Sequence, residues 1–305
     1  MARFLIKRII FSVFTIIFVA TLTFFLMNLV PGGPFTDEKS SAISTRKAME
    51  IKYGLDKPML VRYKNYMLSV AHGDFGESIK MKGRSVSNII AEKFPVSAEL
   101  GGIAVIIAIL IGMPLGIIAA FERKKTADNL ILFFSTLLMS VPSFILGTVL
   151  LIFFGVDLKI FPTFGLSSPL HYILPVITLA LYPAANITRL MRTSMIEVLN
   201  KDYIKTAYAK GLCSRSVISK HALRNAVIPV ITDLGPMTAY ILTGSFAVES
   251  IFSIPGLGGE FINSITSRDY PLIMGVTIFL AVIMVLVNLL VDFSYHLIDP
   301  RIRLN

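Results

Sequence analysis

The stretch LGGIAVIIAILIGMPLGIIAAF, from Leu100 to Phe121, contains 22 residues and no Asp, Glu, Lys or Arg. The hydrocarbon core of a bilayer is about 30 Å thick and a helix rises about 1.5 Å per residue, so about 20 apolar residues are needed to cross it. A helix can lie in lipid because its backbone N–H and C=O groups bond to one another. The stretch therefore predicts a membrane-spanning helix.

Comparable runs occur on both sides of this stretch. Ile9–Val30, Leu130–Val156 and Leu272–Val291 are also long enough to span and lack charged residues. Tyr172–Thr188 and Ala226–Phe252 contain prolines or acidic residues and need shelter inside a helical bundle. We predict an all-α, polytopic membrane protein with six transmembrane helices.

The bulk composition agrees with a membrane protein. Of 305 residues 54% are hydrophobic, and the mean hydropathy of +0.74 is too high for an ordinary soluble domain. The net charge of +10 does not indicate nucleic-acid binding, because the basic residues stand in connectors and form no patch with interleaved aromatic residues. The single cysteine, Cys213, excludes an internal disulfide.

The distribution of Lys and Arg predicts the topology. Basic residues are concentrated at the N-terminus, after spans two and four, and in the tail, whereas the connectors 157–171 and 253–271 contain one each. Under the positive-inside rule the basic connectors are cytoplasmic. They contain Arg3, Lys7, Arg8, Arg123, Lys124, Lys125, the segment Arg192–Arg224, Arg301 and Arg303. We therefore expect a multi-pass membrane protein with both termini in the cytoplasm.

The first span has basic residues before it, like a secretory signal, but its 22 residues exceed the 7 to 15 of a signal core. We interpret it as a retained helix. The sequence then divides into the N-terminus and first helix (1–30), a small external subdomain (31–94), a membrane core with helices two to six (95–292) and a cytoplasmic tail (293–305). Polar helical stretches are expected near Thr45–Lys52 and Met59–Val70.

The cytoplasmic connector from Arg192 to Arg224 is too long for a simple turn and predicts helix, break, helix. Asp202 is expected to cap a short helix, Tyr203–Lys210, and Gly211 suits the left-handed position that ends it. Such a helix under the membrane offers a surface on which another protein can dock. A plain interfacial amphipathic helix is the alternative.

Three pieces of this connector resemble the coupling loop of ABC importer permeases, in the form of the peptide and nickel branch. They are SMIEVL (Ser194–Leu199), DYIKTAYAKGL (Asp202–Leu212) and HALRN (His221–Asn225). Lys205 and Thr206 stand where sugar and amino-acid permeases carry Glu and Ala, a departure common in the peptide branch.

The resemblance extends over nearly the whole chain. Its other pieces are Pro31–Phe35, Ala71–Gly76, Phe94–Gly101, Pro142–Phe144, Pro255–Gly258, Arg268–Tyr270 and Asp299–Arg303. Together they are similar to the B-type membrane subunit of bacterial oligopeptide permeases. The short connector Asp157–His171 favours the oligopeptide branch, because dipeptide-type relatives tend to carry a longer external insertion there.

The resemblance implies a type I ABC importer permease fold and a set of partners. These would be a homologous second permease, two cytoplasmic ATPases and an external peptide-binding protein. ATP and Mg would be bound by the ATPases and no cofactor by this chain, which has no G-x-x-x-x-G-K-[ST] phosphate loop and is not expected to be an enzyme. The helix Tyr203–Lys210 would insert into a cleft of one ATPase and pass its motion to the spans.

The residues of the coupling helix are then the first candidate site. Tyr203, Ala207 and Lys210 are spaced four and three apart, hence on one helical face, which we expect to dock on the ATPase. The full set expected to couple is Asp202, Tyr203, Thr206, Ala207, Lys210, Gly211 and Leu212.

Polar residues inside the spans form a second candidate site. Asn186, Asp233, Glu249 and Asn288 either line the translocation path or pin helices together. For Asp233, an ion pair with Arg224 at the membrane interface is the simpler interpretation.

Other functions remain open at this point. A dipeptide or nickel importer of the same family would share these motifs. A self-sufficient secondary transporter would need repeats and an ion relay at the midplane, for which the polar inventory is thin. An intramembrane enzyme using Ser245 and His296 lacks any recognisable motif around either residue.

Overall fold

The computed structural model describes residues 2–29, 33–35 and 49–298. Over these residues the chain is helical and contains no strand, apart from one isolated bridge between Glu77 and Ser85. The tail motif Asp299–Arg303 and most of the segment 30–48 lie outside the described residues. The expected polar helix Met59–Val70 is confirmed as Met59–Ala71.

The helices follow one another with short connections. They are α1 (Ala2–Leu29), α2 (Met59–Ala71), α3 (Val86–Phe121), α4 (Thr126–Ser140), α5 (Ser143–Leu150), α6 (Leu170–Leu199), α7 (Asp202–Ala209), α8 (Ser214–Ser216), α9 (Leu223–Ala226), α10 (Ile228–Leu242), α11 (Phe246–Ile251), α12 (Leu257–Ser267) and α13 (Tyr270–Ile298). Leu151–Asp157 continues α5 as a π-helix, and a second π-helix, Val217–Ala222, joins α8 to α9.

Four described helices, α1, α3, α6 and α13, are long and apolar enough to cross a membrane alone. Two bent pairs bring the number of spans to six: α4 with Ser143–Asp157, and Val217–Ala226 with Ile228–Ile251. The axes within these pairs are bent by 103° and 47°. With each bent pair counted as one span, the six predicted spans are present, but the two that we expected as Leu130–Val156 and Ala226–Phe252 are broken.

The break after α4 has a cause in the backbone. Pro142 cannot donate a hydrogen bond, and its ring disfavours helical geometry at the residue before it. Val141 accordingly adopts extended dihedral angles, φ −95° and ψ 125°, and α5 restarts after the proline. Mean hydropathy does not predict this break, because the run is apolar on both sides of the proline.

The pair formed by α3 and α6 is the centre of the core. Leu100, Ala104 and Ala108 of α3 and Ile187 and Met191 of α6 are all almost fully buried. The first helix, α1, packs instead on α13, where Ala20 and Phe24 meet Met274 and Ile278. The remaining faces of α1 expose large apolar side chains such as Phe14 and Phe18, as expected of a surface that faces lipid or another membrane subunit.

The segment before α3 is tied to the far end of the chain by one carboxylate. Asp269, 1% exposed, stands just before α13 and accepts hydrogen bonds from the Ser78 hydroxyl and from the backbone N–H groups of Ile79 (3.1 Å) and Lys80 (3.2 Å). Helix α3 begins at Val86 and runs through the expected domain boundary at 94–95 without interruption. The predicted division at that boundary is therefore not a break in the secondary structure.

Candidate functional site

Helix α7 begins one residue earlier than predicted. Lys201, in extended geometry, occupies the capping position, and Asp202 is the first helical residue. The expectation that the Asp202 side chain caps the helix is therefore wrong. Its carboxylate instead accepts a hydrogen bond from Lys205 Nζ at 2.9 Å, and this bond lowers the pKa of Asp202.

The end of α7 follows the prediction. Gly211 has φ 78°, the left-handed geometry that glycine adopts without a steric penalty, and its N–H donates to the Tyr208 carbonyl at 2.9 Å. The chain turns here, and α8 with the following π-helix leads back toward the membrane. Helix α7 is therefore a separate short element between two long spans.

One face of α7 is buried against its own chain. Ile204 and Ala207, three residues apart, are 1% and 6% exposed and belong to the same core cluster as Val217 of the next π-helix. The prediction placed Ala207 on the outward face, whereas the structure places it on this inner one. The inner face anchors α7 to the segment that enters α10.

The rest of the surface of α7 is open. Tyr203 and Tyr208 are 43% and 42% exposed, and Thr206 and Lys210 are exposed beside them. The Tyr203 hydroxyl accepts a hydrogen bond from Asn225 Nδ2 at 2.8 Å, which fixes that ring relative to α9. Leu212 extends this open surface past the turn, with 38% of its side chain exposed. Tyr203, Thr206 and Lys210, spaced three and four residues apart, share one open face, whereas Tyr208 lies on the other side of the buried strip. The aromatic, hydroxyl and basic groups of this open face provide the chemistry of a protein docking surface.

A buried ion pair, which the sequence did not reveal, fixes the C-terminal part of α6. Both carboxylate oxygens of Asp128, 1% exposed, accept from Arg192, at 2.6 Å from Nε and 2.7 Å from Nη2. The backbone N–H of Lys124 donates to the same carboxylate at 2.9 Å. The only available signal was an acidic residue at the start of an apolar run, three residues after a basic cluster. This pair joins the start of α4 to α6, ten residues before α7 begins.

A cavity of about 670 Å³ lies where three helices are interrupted or contain proline. Pro142, Pro183 and Pro236 all line it, together with Tyr182 and Tyr240. Asn186 and Asp233, two of the four predicted polar residues, also line this cavity. They are in contact, since Asn186 Nδ2 donates a hydrogen bond to Asp233 Oδ2 at 2.5 Å. The expected pair between Asp233 and Arg224 is not among the ion pairs of the described residues.

Glu249 has a different environment. It is 1% exposed, and its carboxylate accepts from the Ser97 hydroxyl at 2.8 Å and from the Gly259 N–H at 2.8 Å. Ser97 also accepts from the Leu257 N–H at 2.8 Å, so α3, α11 and the start of α12 converge on this group. A Cβ atom on Gly256 would lie 2.5 Å from the carboxylate, so no room remains for a ligand. Glu249 pins helices together.

Asn288 lies apart from the other three polar residues. It is half-buried on α13, it is not among the residues that line the cavity, and the described residues give it no hydrogen-bond partner. The structure therefore brings Asn186 and Asp233 together and separates Glu249 and Asn288 from them.

The fold is that of a membrane permease subunit of an ABC importer. The chain belongs to the family of binding-protein-dependent transport system inner membrane components, whose model matches residues 112–304. A second model, the N-terminal region of such membrane components, matches residues 1–101. The two models divide the chain inside α3, between residues 101 and 112.

Relatives match over the full length of the chain. The dipeptide transport system permease protein DppB of Bacillus subtilis (strain 168) is 48% identical over 305 residues, which cover 100% of this chain and 99% of the relative. The oligopeptide transport system permease protein OppB of Haemophilus influenzae is 41% identical over 305 residues, 99% of this chain and 100% of the relative. Because the Bacillus relative leaves no room for a long insertion, the short connector Asp157–His171 does not separate the two branches.

Solved structures show the same fold at lower identity. A chain of the inward-facing MetNI methionine ABC transporter superposes with a TM-score of 0.55 and 16% identity, covering 69% of this chain and 96% of that chain. A chain from an amino acid ABC transporter with histidines gives a TM-score of 0.52 and 17% identity, covering 71% of this chain and 95% of that chain. These likenesses confirm the predicted type I importer permease fold.

Proposed function

We propose that this chain is one of two homologous membrane subunits of an ATP-driven importer that carries oligopeptides across a bacterial cell membrane. The observation that carries the proposal is the full-length match to relatives named for peptide transport, at 48% and 41% identity. The partners would be a second permease, two ATPases and an external peptide-binding protein. ATP and Mg would be bound by the ATPases, because this sequence has no phosphate-binding loop.

The open face of α7 is the proposed contact with one ATPase. Tyr203, Thr206 and Lys210 would dock, while Gly211 lets the chain turn away beneath them. Asp202, whose pKa is lowered by Lys205, would carry its negative charge at neutral pH on the same exposed surface. Ala207 would act from the inside, by holding the helix against its own chain.

Motion of α7 has two physical routes into the membrane. Helix α6 ends three residues before α7 begins, and the Asp128–Arg192 pair ties α6 to α4. On the other side, Ile204 packs with Val217, and the Tyr203–Asn225 hydrogen bond reaches α9. Because α6 and α10 meet again at the Asn186–Asp233 bond in the cavity, a displacement of α7 would change the shape of that cavity.

The size of the cavity favours a peptide over a bare metal ion. Its volume of about 670 Å³ falls within the roughly 300 to 1,000 Å³ of sites that hold drug-sized ligands. Dipeptides fit this volume as well as longer peptides do, so the cavity does not assign the length of the cargo, and a dipeptide importer is an alternative within the family. Nickel transport is a second alternative within the family, and a self-sufficient secondary transporter is the alternative from another class.

The test is affinity purification of the chain from its native membrane in mild detergent, with identification of the associated proteins and measurement of ATPase activity. We expect a homologous permease and two ATPases, with hydrolysis stimulated by peptide and binding protein together. Stimulation of ATP hydrolysis by nickel alone would show that the cargo is the metal ion and not a peptide. Recovery without ATPases, with uptake driven by membrane potential, would replace the proposal by a secondary transporter.

Matched variants test the α7 face in the same purification. The double variant Thr206→Glu, Lys210→Glu should lose the ATPases and keep the second permease, because a docking hot spot contributes about 2 kcal/mol or more of partner binding. Lys159→Glu makes a similar charge change at an exposed residue on the expected external side and should keep both partners. Retention of the ATPases by the double variant would overturn the docking assignment.

A further inference from the structure

The cavity between α4, α6 and α10 has an uncompensated negative charge. Among the described residues that line it, Asp233 is the charged one, and the others are aliphatic, aromatic, hydroxyl or amide side chains. Asp233 is half-buried on α10, so its carboxylate is partly removed from bulk water. A lone carboxylate in such a setting attracts cations more strongly than one on an open surface.

The geometry of Asp233 leaves one side of the carboxylate available. Asn186 donates to Oδ2 at 2.5 Å and is the hydrogen-bond donor that the described residues give to this group. An amide donor orients a carboxylate without neutralising its charge. Asn186 therefore fixes Asp233 in the cavity wall and leaves Oδ1 free to accept a second donor.

Two further features of the wall suit a cationic ligand. The rings of Tyr182 and Tyr240 line the cavity and are 46% and 71% exposed, so their faces can approach an ammonium group. Arg189, three residues after Asn186, lies at the edge of the cavity, with Nη1 3.9 Å from Sδ of the lining residue Met139. Arg189 forms no ion pair with Asp233 in the described part of the chain.

We propose that Asp233 binds the N-terminal ammonium group of the peptide as it passes through this cavity. The inference rests on the proposed peptide transport and adds the point of recognition to it. The terminal ammonium is shared by unmodified peptides of any side-chain sequence, whereas the terminal carboxylate is repelled by Asp233. Because Asp233 is only half-buried, solvent screens the interaction, which suits a contact that must be released during transport.

The experiment compares uptake of one radiolabelled tetrapeptide with its N-acetylated form in proteoliposomes that contain the complete transporter. The measured quantity is the ratio of initial rates, free over acetylated. In Asp233→Asn this ratio should fall about tenfold relative to the wild type, because a charge-assisted hydrogen bond is replaced by a neutral one. Any preference of the binding protein for the free peptide cancels when the two ratios are compared, because the wild-type and Asp233→Asn transporters use the same binding protein.

Two variants serve as controls. Asp233→Glu keeps the charge and should keep most of the wild-type ratio, whereas Asp157→Asn removes an exposed carboxylate outside the cavity and should leave it unchanged. Co-purification of the ATPases checks that each variant assembles. An equal loss of both uptake rates in Asp233→Asn, or an unchanged ratio, would overturn the role of Asp233. Absence of uptake of either peptide by the wild-type complex would instead overturn the proposed function.

Discussion

Gly112 and Gly116 occupy the face of α3 that meets α6, one helical turn apart. A Cβ atom on Gly112 would lie 2.7 Å from the Ala184 carbonyl oxygen, and one on Gly116 would lie 2.6 Å from the Thr188 carbonyl oxygen. The Thr188 hydroxyl is also 3.3 Å from the Gly112 carbonyl oxygen. Small residues spaced by four let helices in a membrane approach until their backbones touch. These two glycines set the distance between the central helices.

A single methyl group at this contact should destabilise the protein. Gly112→Ala pushes against backbone atoms that cannot move away locally, and we expect a loss of about 1 to 3 kcal/mol in the free energy of unfolding. The measurement is the unfolding midpoint in a fixed detergent. Gly102→Ala is the matched control on the same helix, because a Cβ atom there has no neighbour within 4 Å. Equal midpoints for the two variants would contradict this close contact.

Single residues also show what sequence can and cannot assign. Gly211 was predicted correctly, because only a turn geometry was needed. Ala207 was placed on the wrong face, because helical spacing tells which residues share a face but not which face is buried. The partners of Asp128 and Asp269 are 64 and about 190 residues away in sequence, and no local pattern connects groups so distant.

At the scale of elements, length and hydropathy identified the spans and missed their interruptions. The run Leu130–Val156 is uniformly apolar, yet Pro142 divides it at a bend of 103°. The proline was visible in the sequence, but a proline inside a membrane helix can equally be accommodated by packing, as Pro95 and Pro114 within α3 demonstrate. Pro183 within α6 and Pro236 within α10 line the same cavity as Pro142 and leave their helices continuous, so neither the proline nor the cavity alone predicts a break.

The Asp128–Arg192 pair should couple two elements energetically. Arg192→Met leaves a carboxylate that is 1% exposed with one backbone donor, and we expect a loss of about 2 to 3 kcal/mol of stability. Replacing both partners, by Asp128→Leu with Arg192→Met, should cost less than the sum of the single changes, because no unpaired buried charge remains. The measurement is a double-mutant cycle, in which thermal unfolding is compared for the wild type, the two single variants and the double variant. Strict additivity would mean that the two side chains do not interact.

At the scale of the whole molecule, the positive-inside rule and the structure give one consistent topology. The connectors expected on the external side lie together, since the Gly165 N–H donates to the Phe252 carbonyl at 2.9 Å. Helix α7 and the Asp128–Arg192 pair belong to segments that the rule places in the cytoplasm. If each bent pair is one span, the number of spans is even and both ends of the chain are predicted on the side of α7.

Cys213 provides a direct check of that topology. It is exposed just after α7, and the sequence contains no other cysteine. A membrane-impermeant maleimide should label it in inside-out vesicles and leave it unlabelled in sealed right-side-out vesicles. The variant Cys213→Ser with Ser167→Cys moves the thiol to an exposed residue of the opposite connector and should reverse the pattern. Labelling of Cys213 from the outside would invert the whole topology.

The bonds that Asp269 makes to Ser78, Ile79 and Lys80 bear on biogenesis. They join residues about 190 positions apart, so the acceptor does not yet exist when the donors leave the ribosome. At synthesis rates of about 5 to 20 residues per second the donors wait roughly 10 to 40 s for their carboxylate. During that interval the segment that contains the donors lacks these hydrogen bonds. Because Asp269 directly precedes α13, these bonds form only in a chain that has been synthesised as far as its last helix, and a chain truncated before residue 269 lacks them.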